Sequence, residues 1–143
     1  MIPAVNPGQP KLVIFVCYGN VCRSPMAAGF ANFYGQDVLL AVSRGLMPVP
    51  GVPQDTIRVM KEKGVDISGH VSKRYDMIEG GRADLVVNMS GYRLPGPPPR
   101  MMVEWEIKDP YTKRIEEFRK TRDQLEQMVM RLILEFRRKQ SFR

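Results

Sequence analysis

The stretch VCYGNVCRSP, residues 16–25, holds both cysteines of a 143-residue chain, one arginine and a Ser-Pro step. Two thiols five positions apart, around a glycine and an asparagine, admit three readings: a disulfide, a metal site, or an anion-binding loop built on one reactive thiolate. The flanking residues weigh between them. Upstream, KLVIFVC (11–17) is a short, continuously apolar, β-branched run, the pattern of a strand buried on both faces of a parallel sheet. Downstream, SPMAAGFANFY (24–34) reads as a helix with Ser24 as its cap, Pro25 at a first helical position, and Met26, Phe30 and Phe33 on one face. The decapeptide is therefore a strand end, a turn and a helix start.

Such a turn offers loop N–H groups and a helix N-terminus to a dianion. Arg23 adds a planar fork of donors that matches phosphate oxygens. A thiol in that electropositive setting ionises more readily than a free one, which makes Cys17 the candidate nucleophile. Gly19 is expected to permit a turn that a Cβ would obstruct, and Asn20 to take a left-handed backbone while its amide ties the loop down.

Beyond the decapeptide, strands and helices alternate. DVLLAVS (37–43), ADLVVNM (83–89) and MMVEWEI (101–107) read as further strands. MPVPGVP (47–53) and LPGPPPR (94–100) are rigid proline-rich loops. QDTIRVMKEKG (54–64) is a helix with Ile57 and Met60 inward and Gly64 as its stop. In the last segment Ile115, Phe118, Leu125, Val129, Leu132 and Phe136 form one helical stripe, interrupted by Arg122. The alternation predicts an α/β fold: a three-layer, four-stranded parallel sheet with helices on both faces and a phosphate-binding loop after the first strand. Ligands in such sheets sit at the carboxyl ends of the strands, where Cys17 lies.

Composition fits a single domain over 11–143 behind a loose leader, 1–10, which carries three prolines. Hydrophobic residues make up 43% and charged residues 26%, and no apolar run approaches the roughly 20 residues that span a bilayer, so no membrane partner is expected. The leader lacks a positive n-region and a small-residue cleavage site, which predicts a cytoplasmic protein whose thiols stay reduced. Two cysteines make no disulfide framework, and one histidine leaves too few soft ligands for zinc, so no metal is expected. The net charge of +7 and a pI of about 9.7 favour anionic partners. Much of that excess sits in the C-terminal stretch, where it reads as a solvated helix face. No aromatic-and-basic pattern for base stacking stands out, which weighs against nucleic acid.

VCYGNVCRSPMA (16–27) resembles the signature of the low-molecular-weight protein tyrosine phosphatase family. Further likenesses follow in the family's order: VSRG (42–45), GVDISGHVSKR (64–74) and DPY (109–111). The resemblance implies Cys17 as the nucleophile that forms a thiophosphate, Arg23 as the guanidinium on the transferring phosphate, and Asp109 as the general acid. It implies a phosphate cradle from Tyr18, Gly19, Asn20, Val21, Cys22, Arg23 and Ser24, and a supporting network of Asn20, Ser24, Ser43 and His70. Cys22 is then the thiol that pairs with Cys17 on oxidation. The resemblance also implies a substrate entrance at Tyr111, Leu46 and Met47, and no cofactor. Taken alone, His70 reads as structural and Asp109 as the opening of a turn before Pro110.

The second half is also similar to the thioredoxin-coupled arsenate reductases, a branch of the same fold. It has that branch's Trp-x-x-x-Asp-Pro at 105–110 and a Phe-Arg-x-x-Arg-Asp helix at 118–123. Those reductases pass a disulfide to two further cysteines after the third strand, where this chain reads NMSGYRLPG (88–96) with none. The loop 43–51 in turn lacks the aromatic that phosphatases often place beside the substrate ring. The leading expectation is a phosphatase acting on a phosphorylated protein or a small aryl phosphate, with inorganic phosphate, sulfate or arsenate as active-site anions. The alternatives are an arsenate reductase using Cys17 with Cys22 or an external thiol, and an inactive relative that binds anions or nucleic acid.

Overall fold

Residues 11–17 form the first strand, β1 (Lys11–Cys17), as their unbroken apolar run predicts. The computed structural model describes residues 9–140, so most of the expected leader and the last three residues lie outside the described part. After β1 come α1 (Arg23–Gly35), β2 (Leu39–Gly45), α2 (Gln54–Lys61), α3 (Met77–Arg82), β3 (Leu85–Asn88), β4 (Met102–Glu104) and α4 (Ile115–Gln140). The sheet order is β2-β1-β3-β4, every pairing parallel. β1 is central and carries its last residue, Cys17, opposite Gly45 of β2.

The pleat of β1 divides the core in two. Val13 and Phe15 face the larger cluster, which α1, α2 and α4 cover with Met26, Phe30, Met60, Leu125, Val129, Ile133 and Phe136. Ile14 and Val16 face a smaller cluster with Tyr75, Ala83, Val86 and Leu94, beside the short α3. The expected three-layer arrangement is present, with the second layer thin.

Several expectations shift. β2 starts and ends two residues later than 37–43, because its register pairs Lys11 with Leu39 and Cys17 with Gly45. β3 and β4 are shorter than 83–89 and 101–107, and β4 is a three-residue edge strand. Phe33 does not share the buried face of Met26 and Phe30; it is 50% exposed. Tyr34 takes the inner position instead, stacked on Phe30, and Phe33 meets Tyr34 edge-on. Ile57 is half-buried, while Thr56, Val59 and Met60 form the inward face of α2.

Ser24 is not the cap. α1 begins one residue earlier, Cys22 holds the N-cap position, and no side chain caps the helix. Pro25 therefore sits third in α1, still within the first turn where its missing N–H costs no helical bond. The uncapped N-terminus faces the loop, with its donors open to a ligand.

Arg122, the interruption in the α4 stripe, is a buried tie rather than a flaw. It is 7% exposed and donates from Nη1 to the Val59 carbonyl at 3.0 Å and to Glu62 at 2.6 Å. A charged side chain at that depth needs such partners, and they clamp α4 onto the end of α2. Glu62 also receives Arg119, and the two guanidinium groups hold its carboxyl down at about 2.

Candidate active site

The loop from Cys17 to Arg23 starts where the central strand ends. The carbonyls of Cys17, Tyr18 and Gly19 accept the N–H groups of Leu46, Met47 and Val49 at 3.2, 2.8 and 3.0 Å. In a trans peptide the following N–H points opposite to its carbonyl, so these bonds turn the amides of Tyr18, Gly19 and Asn20 away from the 46–49 segment. Asn20 takes φ +57°, as the turn requires of a non-glycine that tolerates it. The glycine that sterics demand is Gly45 rather than Gly19. A Cβ on Gly45 would come within 2.7 Å of the Asn20 Cβ and 2.9 Å of its backbone nitrogen. One on Gly19 would meet side chains alone, a Val49 methyl at 3.2 Å and a Val21 methyl at 3.6 Å.

Asn20 anchors the loop. Its Nδ2 donates to Ser24 Oγ at 2.8 Å and Ser43 Oγ at 3.0 Å, and its Oδ1 accepts the Lys73 N–H at 2.8 Å. Its carbonyl accepts from His70 Nε2 at 2.8 Å and Ser72 Oγ at 3.1 Å. The supporting residues named from the sequence thus converge, and Ser72 and the Lys73 backbone join them. Ser24 Oγ lies 2.9 Å from Cys17 Sγ. With Asn20 supplying a proton to its oxygen, the hydroxyl can give its own to a thiolate at that distance.

His70 carries its proton on Nε2, because the Asn20 carbonyl can only accept. Burial, with Arg44 and Lys73 nearby, pushes its pKa below the usual 6.5, against the pull of the Asn20 bond. The sign follows: the unfolded chain takes up a proton near pH 6.5 that the folded chain refuses until lower pH, so stability falls as pH drops through that window. We expect the melting temperature to fall between about pH 7.5 and about pH 5.5, and the fall to shrink in His70→Gln, which keeps a donor for Asn20. An unchanged pH dependence in that variant would remove His70 as its source.

Arg23 is 7% exposed and held at one end by the loops that follow β3 and β4. Its Nη1 donates to the Met89 carbonyl at 2.7 Å and the Ile107 carbonyl at 3.2 Å, and its Nη2 faces Asp109 Oδ2 at 3.4 Å. Its Nε is buried without a partner. A buried cationic donor left unpaired costs about 1–3 kcal/mol or more, and an anion in the loop would satisfy it. The Nε–Nη2 edge is a two-pronged fork of the kind that grips phosphate.

Asp109 opens the turn expected before Pro110, its Oδ1 accepting the Tyr111 N–H at 3.1 Å. Its side chain remains 45% exposed. Asp109, Tyr111, Cys17, Tyr18 and Val49 line a cavity of about 150 Å³ whose floor includes Gly19, Val21 and Cys22. Leu46 and Met47 do not line it: Leu46 packs against the smaller core cluster, and Met47 is 52% exposed beside Arg74. Val49 takes the wall position assigned to them. Its signal was slight, a lone apolar residue between Pro48 and Pro50. A larger groove of about 760 Å³ along the outer edge of β2 reaches Ser43 and His70 but shares no lining residue with the Cys17 cavity.

Cys17 and Cys22 are free thiols, both buried. Burial pushes the Cys22 thiol up to about 12, against a hydrogen bond from Thr56. Among the described residues no group of three or more His, Cys, Asp or Glu could hold a metal ion, and no helix is long and apolar enough to cross a membrane.

Residues 12–94 match the family described as low molecular weight phosphotyrosine protein phosphatase. Among curated proteins, a glutaredoxin arsenate reductase of Synechocystis is 35% identical over 86% of this chain and 96% of its own length. An arsenate reductase solved in a phosphate-binding state superposes with a TM-score of 0.79 at 34% identity, over 88% of this chain and 98% of that one. A low molecular weight protein tyrosine phosphatase from T. tengcongensis superposes at 0.76 with 31% identity, over 87% and 99%.

Proposed function

Because the chain belongs to the low molecular weight phosphotyrosine protein phosphatase family, we propose that it hydrolyses aryl phosphate monoesters, phosphotyrosine in proteins among them, through a cysteinyl phosphate on Cys17. The observation that carries this is Arg23: a buried guanidinium with an unspent Nε, aimed by two backbone carbonyls, 3.4 Å from a half-exposed carboxyl group that shares the cavity with Cys17.

The phosphoryl dianion sits in the loop, on its inward amides and the Arg23 fork. The Cys17 thiolate attacks phosphorus as the phosphorus–oxygen bond to the phenol breaks, and the Asp109 carboxyl gives that oxygen a proton. Asp109, now a carboxylate, then takes a proton from water, which attacks phosphorus. The sulfur–phosphorus bond breaks, inorganic phosphate leaves, and the Ser24 hydroxyl steadies the departing thiolate from 2.9 Å. No step calls for a metal or cofactor. The phosphorylated protein or small aryl phosphate is met in the cytoplasm, where both thiols stay reduced.

The arsenate reductases among the relatives favour a second reading, in which Cys17 bonds to arsenic of arsenate instead. A second thiol then attacks the Cys17 sulfur; the two thiols become a disulfide, and their two electrons leave with arsenite. Cys22 is the sole other thiol in the sequence, and at about 12 it presents very little thiolate near neutral pH. This reading draws its second thiol from Cys22 or from an external thiol, and the burial of Cys22 favours the external one.

One substitution separates the two. Asp109→Asn should slow hydrolysis of phosphotyrosine by roughly 10²–10⁴-fold, the effect of a positioned acid on a poor leaving group. p-Nitrophenyl phosphate, whose leaving group departs without much help, should suffer less in the first step and show a burst as the thiophosphate accumulates. Arsenate turnover with an external thiol should barely change. Equal losses on both esters without a burst would make Asp109 a scaffold residue, and arsenate reduction without ester hydrolysis in the wild type would install the second reading.

A further inference from the structure

The segment after β3 does more than hold Arg23. Asn88, 3% exposed at the end of that strand, donates from Nδ2 to the Tyr92 carbonyl at 2.8 Å. Its Oδ1 accepts both the Ser90 N–H at 3.0 Å and the Ser90 hydroxyl at 2.7 Å. The Ser90 oxygen in turn accepts the Tyr92 N–H at 3.1 Å. Gly91 closes the turn at φ +80°. Every polar group of two buried side chains is thus spent on fixing where Tyr92 emerges.

Tyr92 emerges beside the cavity. The residue is 62% exposed, yet its ring centroid lies 5.5 Å from that of Tyr18 at an angle of 45°, a tilted aromatic contact. Tyr18, itself 41% exposed, belongs to the loop and lines the Cys17 cavity together with Tyr111. A free tyrosine at such a position would sample several rotamers. Here a braced neighbour confines it. Of the pair, Tyr18 lines the cavity, and its ring offers a planar group entering there a flat apolar surface.

We propose that Tyr92 is the positioning residue that fixes the Tyr18 wall, and through it selects planar aryl phosphates over alkyl phosphates. This rests on the hydrolase reading above and adds to it the residue that enforces the aryl preference. Tyr92 touches neither phosphate nor the reacting atoms; it restricts Tyr18, so the leaving-group ring meets a pre-set surface and loses less in ordering it. Inorganic phosphate, which needs the loop alone, gains nothing from the pair.

The test compares two probes on the full-length protein by calorimetry: phenylphosphonate, which carries a ring and is not hydrolysed, and inorganic phosphate. Tyr92→Ala should weaken phenylphosphonate by roughly 3- to 10-fold, the worth of one aromatic pair, and leave inorganic phosphate within about twofold. Tyr92→Phe should behave as wild type, because the ring and not the hydroxyl makes the contact. In turnover, Tyr92→Ala should raise KM for phenyl phosphate with kcat kept, and leave KM for a primary alkyl phosphate unchanged. Equal weakening of both probes would overturn the proposal, since it would mean that Tyr92 only holds Met89 and so Arg23. No weakening of either would overturn it too. Absence of aryl phosphate hydrolysis in the wild type sinks the hydrolase reading instead, while the binding comparison still decides the role of Tyr92.

Discussion

Cys17→Ser is expected to lose aryl phosphate turnover by roughly 10⁶-fold, the scale of effect when a covalent nucleophile is removed, and still to bind phosphate. The substitution exchanges sulfur for oxygen at a residue whose backbone is locked by β1 and by the Leu46 N–H on its carbonyl. The loop amides and the Arg23 fork do not depend on the sulfur, so the anion site survives. What goes is ionisation, because a serine hydroxyl has no neighbouring base here to take its proton. Ser24, 2.9 Å away, is itself a hydroxyl that already accepts from Asn20 and lies 3.3 Å from the Arg44 carbonyl, so it is no base for a second hydroxyl. Single-turnover kinetics with calorimetric titration of phosphate measures both halves. Hydrolysis retained in the variant would remove Cys17 from the chemistry, and loss of phosphate affinity would mean that the sulfur shapes the loop.

Arg23→Lys keeps the charge and should nevertheless lower kcat/KM by roughly 10³–10⁵-fold, the range seen when a guanidinium on a transferring phosphoryl group is lost. A lysine has one point of donors where Arg23 has an edge. If the ammonium stays on the Met89 and Ile107 carbonyls, it abandons the phosphate; if it turns to the phosphate, it leaves two carbonyls without their partner. Either way one set of buried groups is unpaired, so a stability loss of about 1–3 kcal/mol should accompany the kinetic one. Steady-state kinetics with thermal melts separates the two effects. A variant within tenfold of wild type would show that charge alone suffices.

The strand–loop–helix core of the site was legible because its residues are local to one another. β1 falls on residues 11–17 as the apolar run predicts, and Asn20 adopts its left-handed turn. Ser43 and His70 could be named through the family resemblance, and both reach Asn20. What was illegible is what the backbone does at long range. Arg23 is aimed by the carbonyls of Met89 and Ile107, 66 and 84 residues away, and a carbonyl has no side-chain identity to read. Gly45 is demanded by the close approach of Asn20 and the Tyr18 carbonyl across the sheet, which no local pattern announces, so Gly19 looked like the essential glycine. The helix Met77–Arg82 was hidden by two glycines in six residues, which dilute any helical period. Its cap, Asp76 accepting the Ile78 N–H, was the one available signal. Phe33 misled because three aromatic or sulfur-bearing positions fit a stripe that Tyr34 in fact completes.

The ties on the anion loop also run in one direction along the chain. From Asn20 they reach forward to Ser43, His70 and Lys73, and from Arg23 to Met89, Ile107 and Asp109. A ribosome makes residues 17–23 before their braces. Until Ile107 has left the exit tunnel, the nascent segment is a strand followed by an unbraced thiol and arginine, with little grip on any anion. An anion therefore has no braced loop to bind until residues 89–109 have been made and folded back; one that binds the braced loop stabilises the folded chain by mass action. The bracing of this loop comes after its synthesis, acquired only once the loops after β3 and β4 exist to be folded back onto the first strand.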